Sequence, residues 1–260
     1  MLFNSIEFIF FYIFIISIIS IIKFRKFQHI FLLTASYVFF YFSSSYLLSL
    51  LIFSTVLDFY VGKEIYNSKS LRRKKLLLIT SLSGNLGLLG FFKYVDFGIE
   101  QINSLANNFG ISEIPLLNLL LPIGISFYTF QTISYTVDIY RGKLTPSKSI
   151  GEFALFVGFF PQLVAGPIIR ASHFLPQLRE KINKNSISTR FRTITIHDTS
   201  LRIGITLMAM GFLKKMFFAD NISPMVNEIF SSPYGLESFT VILGAIAFGV
   251  QIYGDFSGYS

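Results

Sequence analysis

The sequence of 260 residues contains no cysteine and no tryptophan, and it has few charged residues. Without cysteine, the chain has no disulfides, no thiolate metal ligands and no cysteine nucleophile. Its three histidines, His29, His173 and His197, share no local ligand spacing, so the sequence predicts no metal site. Charged residues make up 14% of the chain, against about a quarter in typical globular proteins, which excludes an ordinary soluble domain.

The apolar residues, 52% of the chain, come in long runs. Uncharged apolar runs of about 18 residues or more are typical of transmembrane helices, because about 20 helical residues span the hydrocarbon. We therefore predict an all-α fold, a polytopic transmembrane helix bundle that forms one integral-membrane domain over residues 1–260. The predicted segments are 6–22, 30–42, 46–60, 76–92, 116–137, 151–169, 203–219 and 238–253.

The net charge of +8 lies mostly in short loops between these runs. A nucleic-acid groove needs a soluble scaffold that displays its cations, so we expect no nucleic-acid partner and take the lipid bilayer as the partner instead. The cations near the N-terminus follow the first apolar run, and no small-residue cleavage site is present. This arrangement predicts a retained anchor rather than a signal peptide.

Loop charges predict the orientation, because cytoplasmic loops carry an excess of Lys and Arg. The net charges are +3 around 23–26, zero in the turn around 43–45, +5 over 61–75, −2 over 93–115, +2 over 138–150 and +5 over 170–202. These values alternate up to segment 151–169, which has positive loops on both sides. We therefore predict that this segment is re-entrant, and Pro161, Gly166 and Pro167 would interrupt its helix.

Polar residues at membrane depth are candidate site residues, because unsatisfied polar groups are costly in lipid. The segment 120–143 contains several, and Gln131 and Tyr135 are the stronger candidates for a cavity wall. The bland interpretation is that such side chains join helices or lie at the interface. Arg170 follows the broken segment and either binds a phosphate or carboxylate or simply obeys the positive-inside rule. His173 beside it is a weak candidate for a general base.

Two lysines and the end of the chain form the last candidate group. Lys214 and Lys215 lie within an apolar run, where they either extend to the interface, bind an anionic group or pair with Asp255. The final residues, 251–260, read QIYGDFSGYS. From composition alone, a helix ends near Gly254 and a solvated tail follows.

Four stretches carry a family resemblance in their order and spacing: LLPIGISFYTFQTISYTVDIYRG, FVGFFPQLVAGPIIRASHFLPQL, GFLKKMFFADNISPMV and QIYGDFSGYS. Together they resemble the membrane-bound O-acyltransferases, and in particular the alginate O-acetyltransferase branch. The stretch NLGLLGFFKYVDFGIEQIN, residues 85–103, also fits that branch. The resemblance covers nearly the whole chain.

The resemblance implies a helix bundle with a funnel, in which an acyl group passes from a cytoplasmic donor to an acceptor on the outer side. It implies O-acylation of an exported polysaccharide or envelope glycan at the cell inner membrane. The donor would be acetyl-CoA or an acyl carrier, with no bound cofactor. Partners would be periplasmic acetyltransferases or polysaccharide-export proteins. Asp255, Ser257 and Tyr259 would lie in the wall of the site, with Arg170, Lys214 and Lys215 as donor or structural contacts.

This sequence departs from the family pattern in two ways. The family's catalytic histidine belongs to a Trp-His motif downstream of DFSGYS, and none of the three histidines occupies that position. Gly254 also stands where the branch has a bulkier residue. We therefore expect a copy truncated before the catalytic histidine, which leaves enzymatic activity open. The alternative function is a non-catalytic component or scaffold of a polysaccharide export system.

Overall fold

The computed structural model describes residues 5–22, 25–44, 47–107, 112–122, 124–163, 169–183, 198–231 and 235–259. Those residues form helices and irregular segments and contain no β-strand, which confirms the all-α prediction for this part of the chain. They divide into two compact units. The single membrane domain and the polytopic arrangement stay predictions.

The larger unit contains α2 (Arg25–Ser44), α3 (Leu48–Asn67), α4 (Leu71–Asn107), α5 (Ile125–Tyr140), α6 (Ile150–Gly158), α7 (Phe160–Leu163) and α8 (Ala171–Asn183). Helices α3, α4 and α5 pack against one another, and α6 packs against α2 and α3. The core is aromatic and aliphatic. The rings of Tyr135 and Phe153, both fully buried, are in close contact, with centroids 4.3 Å apart.

The smaller unit contains α1 (Ile6–Ile21), α9 (Asp198–Phe212), a π-helical segment (Leu213–Ala219), α10 (Asp220–Ser231) and α11 (Ser238–Tyr259). Helix α1 begins at an N-cap, where the Ser5 hydroxyl accepts the N–H of Phe8 at 3.2 Å. Helix α11 packs against the π-helical segment and against α10.

Helices α4 and α11 are long and apolar enough to cross a membrane by length and composition, and α1 is a shorter apolar helix. Helix α4 has 37 residues, about 55 Å at about 1.5 Å per residue. The hydrocarbon core is only about 30 Å thick. Helix α4 is therefore much longer than a single span requires, and its charged C-terminal part continues beyond the predicted segment 76–92.

The prediction of a helix from residue 116 is wrong, because α5 begins only at Ile125. The carbonyl of Pro122 accepts the N–H of Ile125 at 3.2 Å, which closes a turn before the helix. Gly124 has a φ of 76°, in the left-handed region that favours glycine. A Cβ at Gly124 would also collide with the carbonyl oxygen of Leu163.

The end of the chain also differs from the expectation based on composition. Helix α11 continues to Tyr259 instead of ending near Gly254. Gly254 is buried rather than exposed at a helix end. The helix continues because its last turns pack against α9 and the π-helical segment.

Candidate functional site

A helix break lies between α6 and α7, inside the predicted re-entrant segment. Helix α6 ends at Gly158, Phe159 is extended, and α7 begins at Phe160. Pro161 explains the break, because its ring would clash with the carbonyl of Val157 if α6 continued. Gly166 and Pro167, the other two predicted interruptions, lie outside the described residues.

The backbone groups released by this break are paired by side chains. In a continuous helix the N–H of Phe160 would donate to the carbonyl of Phe156. Instead, Phe160 N–H donates to Ser36 Oγ at 3.3 Å. The carbonyl of Phe156 accepts from Gln131 Nε2 at 2.9 Å, and the same nitrogen donates to Gln162 Oε1 at 3.0 Å. Gln131 is thus a structural part of the break, and its cavity-lining role stays a prediction.

The other predicted residues of this unit lie in different surroundings. Tyr135 is fully buried, and its hydroxyl accepts the N–H of Ser147 at 3.0 Å. Arg170 and His173 are exposed at the start of α8, where the Arg170 carbonyl accepts the His173 N–H. The described contacts join Gln131 to the break and Tyr135 to the loop before α6, and they assign no chemistry to Arg170 or His173.

In the smaller unit, the π-helical segment carries an ion-pair cluster. Lys215 Nζ lies 2.6 Å from Asp220 Oδ1, to which it donates a hydrogen bond, and 2.6 Å from Asp255 Oδ1, with which it forms an ion pair. The ring of Tyr259 lies 5.8 Å from the same nitrogen, within the range of cation–π attraction. Helical segments of the π type are frequent at functional sites because they redirect side chains.

This cluster distinguishes the two lysines. Lys215 faces two carboxylates, so the cluster carries a net negative charge and Lys215 is a poor receptor for an anion. Lys214 is half-buried and makes no ion pair within the part of the chain that is described. Of the two lysines, Lys215 therefore joins α11 to the π-helical segment, and Lys214 is the one without a described counter-charge.

Helix α11 approaches its neighbours closely through glycines four residues apart. A Cβ added at Gly211 would lie 2.5 Å from the carbonyl oxygen of Gly258. A Cβ added at Gly254 would lie 3.1 Å from Cβ of Ala219. Small residues at this spacing let helix backbones meet in membranes. Gly254, the departure from the family pattern, therefore lies at a helix–helix contact.

Two polar atoms of α11 are buried next to this cluster without a described partner. They are Gln251 Oε1 and Ser257 Oγ, and neither has a hydrogen-bond partner among the described residues. Buried polar atoms are nearly always paired with protein, water or ligand. Gln251 and Ser257 of the final stretch therefore have hydrogen-bonding capacity that no described residue uses.

Sequence reasoning missed a buried polar network in the larger unit. Asp58 of α3 is fully buried, and it accepts from the Ser81 hydroxyl at 2.6 Å and from the Asn85 amide at 2.8 Å. Thr136 lies 3.1 Å from Ser81 Oγ, and Thr132 donates to Asn85 Oδ1 at 3.4 Å. Asp58 is the single charged residue in the predicted segment 46–60, a signal that could have revealed the network.

The four stretches singled out in the sequence thus form a supported helix break and an ion-pair cluster. No family model matches the chain. Over its whole length, however, the chain is 34% identical to the probable alginate O-acetylase AlgI of Azotobacter vinelandii and covers 50% of it. This similarity confirms the resemblance to the membrane-bound O-acyltransferases that the four stretches indicated.

Two further relatives support this resemblance. The chain is 34% identical over its whole length to the probable alginate O-acetylase AlgI of Pseudomonas aeruginosa and covers 48% of it. Over 90% of its length, it is 31% identical to the peptidoglycan O-acetyltransferase of Helicobacter pylori and covers 46% of it. The chain spans about half the length of the curated relatives it matches. This similarity, together with the two helices that are long and apolar enough to span a membrane, indicates a membrane protein.

Proposed function

We propose that the chain acts in a membrane O-acyltransferase that transfers an acyl group, expected to be acetyl, to hydroxyls of an exported polysaccharide or envelope glycan. The observation that carries this proposal is the 31–34% identity to relatives named as alginate and peptidoglycan O-acetylating enzymes. The acyl donor would be acetyl-CoA or an acyl carrier, and export or periplasmic acetyltransferase proteins would be partners.

The end of α11 would form one wall of the site. Gln251 Oε1 and Ser257 Oγ are buried without described partners, so they can accept a hydrogen bond from an acceptor hydroxyl or from water. Lys215 would hold Asp255 and the helix in register, and Lys214 would contact an anionic part of the donor. This division of roles follows from the charge of the cluster, because of the two lysines only Lys215 has an ion pair within the described part of the chain.

The membrane arrangement belongs to the same proposal. We place the chain in the cell inner membrane as a multi-pass bundle, with the broken pair α6–α7 as a re-entrant element. Irregular backbone at membrane depth requires internal partners, and Ser36 and Gln131 supply them at this break. The chain has no native cysteine, so cysteines placed at 145 and 185 can be labelled individually. Labelling from opposite faces would contradict the re-entrant assignment.

The function is tested in the organism that carries the gene. Deleting the gene should abolish alkali-labile acyl esters on extracellular or envelope glycans, measured by mass spectrometry, and a plasmid copy should restore them. Unchanged ester content in the deletion strain would contradict the proposal.

A second measurement separates a transferase from a scaffold. The purified protein in nanodiscs is mixed with radiolabelled acetyl donor and glycan oligomers, and alkali-labile label on the glycan is counted. Transfer that depends on the protein supports the enzyme. Loss of glycan esters in the deletion strain without any transfer in nanodiscs would favour the scaffold.

A further inference from the structure

The C-terminal half of α4 carries a polar stripe on one face. Asp96, Glu100, Asn103 and Asn107 follow one another at spacings of four, three and four residues, which places them on one side of a helix. This part of α4 lies beyond the apolar segment 76–92. The stripe faces the irregular segment 112–122, which lies between α4 and α5 in sequence.

Side chains of the stripe hold this segment in a fixed register. The Asn103 amide donates to the carbonyl of Ile114 and accepts its N–H, both at 2.8 Å. Asp96 Oδ1 accepts the N–H of Leu117 at 2.8 Å. Asn107 donates to Glu113 Oε1 at 3.0 Å. Because lower residue numbers on α4 pair with higher numbers on the segment, the two run antiparallel.

An open groove of about 640 Å³ lies between the stripe and the segment. This volume is within the range of about 300–1,000 Å³ that is typical of small-ligand sites. The groove lies wholly within the larger unit. Its described lining residues are Glu100, Asn103, Ser104, Asn107, Glu113, Ile114, Pro115 and Leu116.

The lining suits a particular class of ligand. The amides of Asn103 and Asn107 already bond the segment, but the Glu100 carboxylate can accept a hydrogen bond and the Ser104 hydroxyl can donate one, so both the hydrogen and the oxygen of a sugar hydroxyl can be matched. Pro115 and Leu116 add an apolar wall against which the C–H face of a sugar ring can pack. We infer that this groove binds a short stretch of a neutral, hydroxyl-rich glycan.

The charges of the groove decide between classes of glycan. Glu100 and Glu113 line it, and its described lining contains no lysine or arginine. Like charges brought together at an interface oppose binding, so a polymer of uronic acids is repelled. A neutral or N-acetylated glycan meets no such penalty. As an assignment of the acceptor, the inference rests on the proposed function, but as a binding site it can be tested without acyl transfer.

The test measures binding to the purified full chain in nanodiscs by microscale thermophoresis. The probes are a neutral N-acetylglucosamine tetramer, a mannuronate tetramer and tetralysine. We expect the neutral tetramer to bind more tightly than both others. Glu100→Ala should weaken its binding about tenfold, which corresponds to one hydrogen bond with a charged group. Glu100→Gln combined with Glu113→Gln should raise the affinity for mannuronate.

The matched control is Glu228→Gln, which removes an exposed glutamate of α10 in the other unit and should leave all three affinities unchanged. Ser104→Ala provides a second groove variant if Glu100→Ala lowers the thermal stability. Equal binding of the neutral and uronate tetramers, or tighter binding of tetralysine, would overturn the inference. A protein that transfers acyl groups but binds no neutral tetramer would refute the groove and leave the proposed function intact.

Discussion

Asp58 and Asp255 are both acidic residues of apolar helices, but their neighbours balance them in different ways. Asp58 is fully buried and accepts hydrogen bonds from an uncharged hydroxyl and an uncharged amide. Asp255 has a side chain that is 28% exposed and pairs with a lysine. The carboxylate of Asp58 is held by neutral dipoles from one other helix, α4, and that of Asp255 by a full opposite charge.

The Asp58 network and the Lys215 cluster join helices of this apolar chain in two different ways. The network around Asp58 needs three helices in register, because its donors come from α4 and its hydroxyl neighbours from α5. It therefore specifies packing. The cluster around Lys215 needs only one flexible cation between two carboxylates, and its partial exposure lets water and salt reduce the attraction. It therefore joins α11 to the π-helical segment without requiring the exact helix register that the Asp58 network requires.

The largest effect is expected where the buried network is cut. Asp58→Ala leaves the Ser81 hydroxyl and the Asn85 amide without their acceptor and opens a small cavity. We expect a loss of about 3 kcal/mol in the free energy of unfolding, since unsatisfied buried groups cost about 1–3 kcal/mol each. The measurement is reversible unfolding in mixed detergent micelles.

The control for this variant is Asp58→Asn, which keeps the size and one acceptor oxygen. Its loss should be smaller than that of the alanine variant, and neither loss should change with salt. A strong salt dependence at position 58 would show that the acid is balanced by mobile or distant charges, and the contrast with Asp255 would disappear.

The next effect in size concerns Lys215. Lys215→Met leaves Asp220 and Asp255 facing each other without the cation, and we expect a loss of about 1–2 kcal/mol because the group is only partly buried. A double-mutant cycle with Asp255→Asn isolates the pair. The coupling should decrease as salt is added, in contrast to the network at Asp58.

Lys214→Met is the matched control, since it removes the neighbouring lysine, which has no described ion pair. It should change the unfolding free energy by much less than Lys215→Met. Equal losses at the two positions would mean that the aliphatic stems, rather than the ion pair, stabilise this turn.

The sequence predicted the ion pair of Lys215 with Asp255 more readily than the hydrogen bonds between Asp58 and its uncharged partners. A lysine inside an apolar run needs a counter-charge, so pairing of Lys215 with Asp255 was one of three alternatives. The sequence could not decide among these alternatives, because Lys215 lies in a π-helical segment that it did not predict. A regular α-helix would point the Lys215 side chain in a different direction. The partners of Asp58 lie 23 and 27 residues away, on helices whose register is decided by packing rather than by local pattern.

The helix break shows the same limit. Pro161 in the sequence predicts an interruption, because proline cannot continue the preceding helix. Its consequences lie far along the chain, since the freed Phe160 N–H is taken by Ser36, 124 residues away. Pattern reasoning therefore identified where backbone pairing fails, whereas the residues that replace it could be assigned only from the fold.

The smallest effect is expected at the exposed pair of Glu64 and Arg73. Their atoms lie 2.8 Å apart, close to the 2.6 Å of the Lys215 contacts, but their side chains are 49% and 65% exposed. Exposed pairs contribute about 0.2–1 kcal/mol at most, and many contribute nothing measurable. Arg73→Gln should therefore change the free energy of unfolding by only a few tenths of a kcal/mol in the same assay. If it costs as much as Lys215→Met, then distance rather than burial sets the strength of ion pairs in this chain, and the explanation given for Lys215 is wrong.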